Sequence, residues 1–218
     1  MSRLGGARGN ERLTLLAGLV LLVLLGVEVL TTLDLPAYLS VHLFVGLVLI
    51  PLVSLKLAST SWRFARYYTG SAEYRRLGPP QIVLRVLAPA LVVATLVLFG
   101  SGVAFLALTG THPLRTIHTF AFLAWGVLMI VHVLAYLKRV FQEALADWRP
   151  LRRLAGGGLR RGLVAGALVV GLAIAGATYP VQRSWLAQHG RHGEGERRAW
   201  PPAIATEGES RPSSFSRR

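Results

Sequence analysis

An all-α protein embedded in a membrane is what this sequence predicts, and three observations carry that prediction. The 218 residues are 53% hydrophobic, with a mean hydropathy of +0.50, and only 16% are charged. Soluble domains carry about 25% charged residues. Five apolar runs follow one another at 13–31, 38–58, 82–108, 116–137 and 162–179, each close to the length a helix needs to cross hydrocarbon. Basic residues collect in alternate connections between these runs.

The first span, LTLLAGLVLLVLLGVEVL, follows Arg3, Arg8 and Arg12. It is long for the apolar region of a signal peptide, and no A-x-A site follows it, so it is expected to be a retained helix. Spans 1 and 2 are separated only by 32–37, which carries no Lys or Arg. The connection 59–81, STSWRFARYYTGSAEYRRLGPPQ, mixes four arginines with Trp62, Phe64, Tyr67, Tyr68 and Tyr74. That mixture suits an aromatic belt, with a short helix lying in the headgroups until Pro79-Pro80 ends it. Spans 3 and 4 are joined by 109–115, with Arg115 its one basic residue. A 138–161 connection with seven Lys and Arg leads to span 5, where Gly162-x-x-x-Gly166 suggests close helix approach. From 180 the chain turns polar, with Gly, Pro, Ser and mixed charges, and disorder is expected to 218. His189 and His192 in this tail read as solvated side chains.

Charge then fixes an expected orientation. The N-terminus, 59–81 and 138–161 carry three, four and seven Lys and Arg, against none and one in the alternate loops. By the positive-inside rule the N-terminus is cytoplasmic and the C-terminus extracytoplasmic in a multi-pass cell-membrane protein. The net charge of +14 belongs to this pattern and to anionic membrane lipid, not to nucleic acid. The absence of cysteine excludes disulfides, thiolate-ligated iron–sulfur clusters and C-x-x-C-H haem attachment.

Spans 2 and 4 then run in the same direction, and both carry imidazole. In RTIHTFAFLAWGVLMIVHVLAYLK, His118 and His132 lie fourteen residues apart. Fourteen helical residues turn through about 1,400° and rise about 21 Å, so the pair shares a face. The same ruler laid on span 2 joins His42, at the depth of His118, to Lys56, at the depth of His132. Facing neutral imidazoles at one depth are the axial ligands that six-coordinate b-type haem requires. Gly26, Gly46, Gly100 and Gly102 fall near that depth, where a flat ring needs backbone room. Ionisable residues within spans are functional candidates by default.

This arrangement resembles the membrane b-type cytochromes: respiratory cytochrome b and the related ferric-reductase and dehydrogenase membrane subunits. The resemblance covers spans 1–4, roughly residues 12–138. It implies a four-helix haem-binding bundle over 1–138; charge and composition add a basic cytoplasmic loop (139–161), a fifth transmembrane helix (162–179) and the disordered extracytoplasmic tail (180–218). It implies that His42 and His118 ligate an outer haem b and that His132 is one ligand of an inner haem. Lys56 stands where the family has the other inner histidine, which leaves the second haem open. Two roles fit Lys56: a neutral amine on iron, or an ammonium snorkelling to the cytoplasmic interface, and the sequence favours snorkelling. Arg115, one turn before His118, is placed to pair with outer propionates or to act as an ordinary loop arginine. Arg63, Arg66 and Arg85 have the same two readings on the inner side. Glu28, toward the outer end of span 1, reads first as reaching the interface and second as a proton relay beside a quinone.

No nucleotide motif, flavin site or cysteine cluster is present. The expected function is therefore electron relay by an oxidoreductase subunit, from a membrane donor such as quinol to an extracytoplasmic partner subunit. The competing expectation is a haem-free multi-pass protein, either a structural partner or a small transporter, whose histidines pack or move protons.

Overall fold

The computed structural model of the chain describes residues 5–78, 82–108, 112–144 and 155–188, without the side chains of 82–85 and 136–144. Expectations for Pro79-Pro80, the Arg85 side chain, residues 145–154 of the basic loop, and His189, His192 and the rest of the tail lie outside the described residues; 139–144 and 157–161, expected in that loop, are instead helical. Within them the chain is all-helical: α1 Gly6–Leu33, α2 Leu35–Tyr68, α3 Ala72–Arg76, α4 Ile82–Ala107, α5 His112–Ala144 and α6 Gly157–Ala177. A further helix, α7, occupies 179–188. Five of these, α1, α2, α4, α5 and α6, are long and apolar enough to cross a membrane. Their outward faces carry Val23, Leu30, Val93, Phe120, Val127, Ile130, Leu134 and Val169, all exposed. An apolar exterior of this extent belongs in lipid.

A single residue turns α1 into α2. Asp34 leaves helical geometry, its Oδ1 accepts from Ala37 N at 3.4 Å, and Pro36 occupies the first turn of α2, where a missing N–H costs nothing. The two helices form an antiparallel hairpin. Near its Gly5 end, Asn10 Nδ2 donates to Ser59 O at 3.0 Å, Ser59 Oγ donates to Asn10 Oδ1 at 3.0 Å, and the Thr14 and Ser59 hydroxyls meet. Arg63 pairs with Glu11 at 3.4 Å beside them. The span-2 helix does not end at 58: α2 runs on to Tyr68, 34 residues in all, because nothing in 59–68 breaks it. That is about 51 Å of helix against ~30 Å of hydrocarbon. Trp62 and its neighbouring aromatics therefore stand on a projecting helix, and the short surface helix is α3 alone.

The α1–α2 hairpin meets α6 on α2 and the α4–α5 hairpin mainly on α1. Leu13, Ala17, Leu21, Leu49, Leu52 and Val164 form the core where α1, α2 and α6 meet. Close approach of α6 to α2 is made by Gly171, where any side chain would run into the Val48 backbone, and by the fully buried Ala175. Gly162 and Gly166 face open space, which corrects the expectation for the small-residue motif. Its four-residue spacing was met, but on the face of α6 turned away from α2.

In the second hairpin, Trp125 Nε1 on α5 donates to Thr95 Oγ1 on α4 at 3.0 Å, both side chains buried. After Thr178 the chain folds back as α7. Gln182 Nε2 donates to Ala175 O at 2.9 Å, and the Trp185 ring lies 5.4 Å from that of Phe105 on α4. The disordered tail expected from 180 thus does not begin there. Composition missed that one indole and one amide find burial against α4 and α6, and that Pro180 sits in a first turn, where proline is tolerated.

Candidate functional site

His42 on α2 and His118 on α5 come together at the Asp34 end of the bundle. Their ring centroids lie 6.4 Å apart with the planes at 85°. One bundle length away, Lys56 and His132 lie close enough to act on each other electrostatically. Proximity at both ends of the fourteen-residue ruler fits α2 and α5 running parallel and in register, as the spacing required.

Each ring of the first pair is held through Nδ1 by a different neighbouring helix. His42 Nδ1 lies 3.2 Å from Glu28 Oε1 and 3.1 Å from Thr31 Oγ1, both on α1. Thr31 spends its hydroxyl proton on Glu28 O at 2.6 Å. His118 Nδ1 lies 3.1 Å from Leu98 O and 3.2 Å from Ser101 Oγ on α4, and Ser101 donates to the same carbonyl at 3.0 Å. These acceptors assign the proton of each ring to Nδ1 and leave the Nε2 lone pair for another partner. Among the described residues no hydrogen bond reaches either Nε2. Gly102 makes the seat of His118: a Cβ there would stand 3.0 Å from Cε1 and 3.3 Å from Nδ1.

The Lys56–His132 pair is built differently. The Lys56 amine donates to Thr14 O on α1 at 3.3 Å, and a Cβ at Gly18 would lie 2.7 Å from Nζ. Lysine therefore turns into the hairpin and does not snorkel outward, because α1 offers it a carbonyl in the space Gly18 leaves. His132 is half-buried beside it.

Arg115 is exposed on the first turns of α5, one turn before His118. Arg63 is taken by Glu11, and Arg66 lies over the Trp62 ring at 5.9 Å. Of the four glycines expected to give backbone room, Gly102 backs His118 and Gly46 adjoins Glu28, while Gly26 and Gly100 border open space.

Glu28 departs most from expectation. It does not reach the interface; its side chain is 13% exposed and turned inward onto His42. Thr31 and Ser101 were not singled out in the sequence. The signal for α1 was the Asp34 turn: residues equidistant from a tight helical turn meet at one depth, and Glu28 and His42 are nearly so.

Among the described residues no group of three or more His, Asp or Glu side chains is arranged to hold a metal ion by itself. No family model, curated protein or solved structure matches the chain.

Proposed function

We propose that the chain is a haem b-binding membrane subunit that relays electrons, with His42 and His118 as the two residues that would hold the iron of a single haem. The observation that carries this reading is the geometry of the two imidazoles. Metal–nitrogen bonds of about 2 Å on opposite sides of one ion put the ring centroids about 6 Å apart; here they are 6.4 Å apart. A macrocycle brings its own four equatorial nitrogens, so two protein ligands are enough and no larger cluster of donors is needed.

The surrounding contacts support the same reading. Ligating histidines characteristically give the other ring N–H to a carboxylate or carbonyl, which fixes tautomer and orientation. Glu28 with Thr31 does this for one ring and Leu98 with Ser101 for the other. Because the anchors sit on α1 and α4, all four helices of the bundle take part. When bound, the haem would supply a one-electron couple inside the membrane. Everything else would be the protein's work: the imidazoles would hold the iron, α1 and α4 hold the imidazoles, and the apolar bundle would keep water away.

Loop charge supports an orientation with the His42–His118 pair toward the extracytoplasmic side. That favours electron delivery from a membrane donor such as quinol to an extracytoplasmic subunit, with the exposed Arg115 available to propionates at the mouth. The Lys56–His132 pair has its amine engaged by Thr14 O, which supports one haem per chain.

The test is the absorption spectrum of the purified protein in detergent. A Soret band, a sharp reduced α band and one haem per chain support the proposal. A colourless preparation from haem-replete cells overturns it and leaves the haem-free membrane protein standing.

A further inference from the structure

The two imidazoles are not held alike, and the difference lies in charge. His118 rests on a backbone carbonyl and a hydroxyl, both neutral. His42 rests on a hydroxyl and on the carboxyl group of Glu28. The two Glu28 oxygens are treated unequally: Oε1 lies 3.2 Å from His42 Nδ1, while Oε2 is buried with no hydrogen-bond partner among the described residues. Gly46 on α2 leaves the space the carboxyl group occupies, since a Cβ there would stand 3.3 Å from Oε1.

Orientation alone does not call for this arrangement. Thr31 already accepts from Nδ1, and a glutamine at 28 would accept equally well. An acid with one orphaned oxygen is a costly group to bury in a bundle. What a carboxyl group adds over an amide is the capacity to carry a negative charge, and that capacity matters only if positive charge comes and goes nearby. A haem with two neutral imidazole ligands carries one net positive charge when ferric and none when ferrous. A carboxylate on the ligand's outer nitrogen raises ligand basicity and favours the ferric state.

We infer that Glu28 is a positioning residue that sets the redox poise of this site, accepting a hydrogen bond from His42 Nδ1–H and holding the haem toward its oxidised form. The inference rests on the haem reading above. It makes the His42 side of the site the tuned side and the His118 side the structural one.

The experiment is a redox titration, at one pH, of the haem-loaded full chain in detergent, with the absorption spectrum as a check on ligation. Glu28→Gln should keep its haem and low-spin spectrum while its reduction equilibrium shifts at least tenfold toward the ferrous form, 59 mV for one electron. Ser101→Ala, which alters the neutral side, should shift it by less. Thr31→Val moves the opposite way: it removes the competing acceptor, leaves the Nδ1 proton to the carboxylate, and should favour the ferric form. That variant decides the matter if Glu28→Gln fails to insert. Full haem with an unchanged potential in Glu28→Gln, or in Thr31→Val should the first not fold, overturns the role of Glu28 and leaves the haem proposal intact. A wild-type protein without haem overturns both.

Discussion

Gly102→Ala isolates the seat of one imidazole. The added methyl group would stand 3.0 Å from His118 Cε1 and 3.3 Å from Nδ1, closer than carbon atoms pack. The ring has to give by a few tenths of an ångström, and its anchors restrict where it can go. Leu98 O and Ser101 Oγ lie on α4, the same helix as Gly102, at 3.1 and 3.2 Å. A ring pushed off α4 stretches both bonds toward the limit at which a hydrogen bond is lost. Overpacking of this kind costs about 1–3 kcal/mol, which is roughly a fivefold to hundredfold loss of haem affinity. Helix propensity works the other way, since alanine is favoured over glycine by about 1 kcal/mol in a helix interior. The variant should therefore insert at least as well as wild type while losing haem faster. Haem loss from the purified protein to excess apo-globin measures the effect, with Gly166→Ala as control because Gly166 on α6 borders open space. Equal retention in the two variants would refute the claim that Gly102 positions His118.

Three further outcomes follow from other parts of the bundle. Gly171→Leu drives a side chain into the Val48 backbone, so it should part α6 from α2 and lower the thermal midpoint in detergent, whereas Gly162→Leu should leave it unchanged. Lys56→Leu removes the bond to Thr14 O but should leave the haem spectrum as in wild type; loss of low-spin signal would make lysine a ligand. A reporter fused after Arg218 should be active only outside the cell and one within 138–161 only inside, and reversed signals would put the His42–His118 pair on the cytoplasmic side.

Much of this architecture is legible without coordinates. Hydrophobic runs mark the five crossings, and the fourteen-residue spacings in two spans place His42 with His118 and Lys56 with His132. These features are periodic, and a helix converts periodicity directly into depth and face. What the sequence hides are contacts that depend on which helix stands beside which. Lys56 reads as a snorkelling cation until α1 supplies Thr14 O and the gap at Gly18. Glu28 reads as an interfacial carboxylate until the one-residue turn at Asp34 lays it against His42. Gly162 and Gly166 have the spacing of a contact motif, yet Gly171 makes the contact, because the facing side of α6 is set by the packing of α2. Tail composition likewise concealed Trp185, whose partner Phe105 is eighty residues away.

The central claim is that His42 and His118 are two ligands of one iron. The most direct measurement is the absorption spectrum of His42→Ala and His118→Ala, each purified beside wild type with haem per chain determined. Each substitution alone should abolish the low-spin spectrum, and added free imidazole should restore it in part by filling the vacated axial position. Full low-spin spectra in both variants, with wild-type haem content, would contradict the account and place any ligand pair elsewhere in the chain.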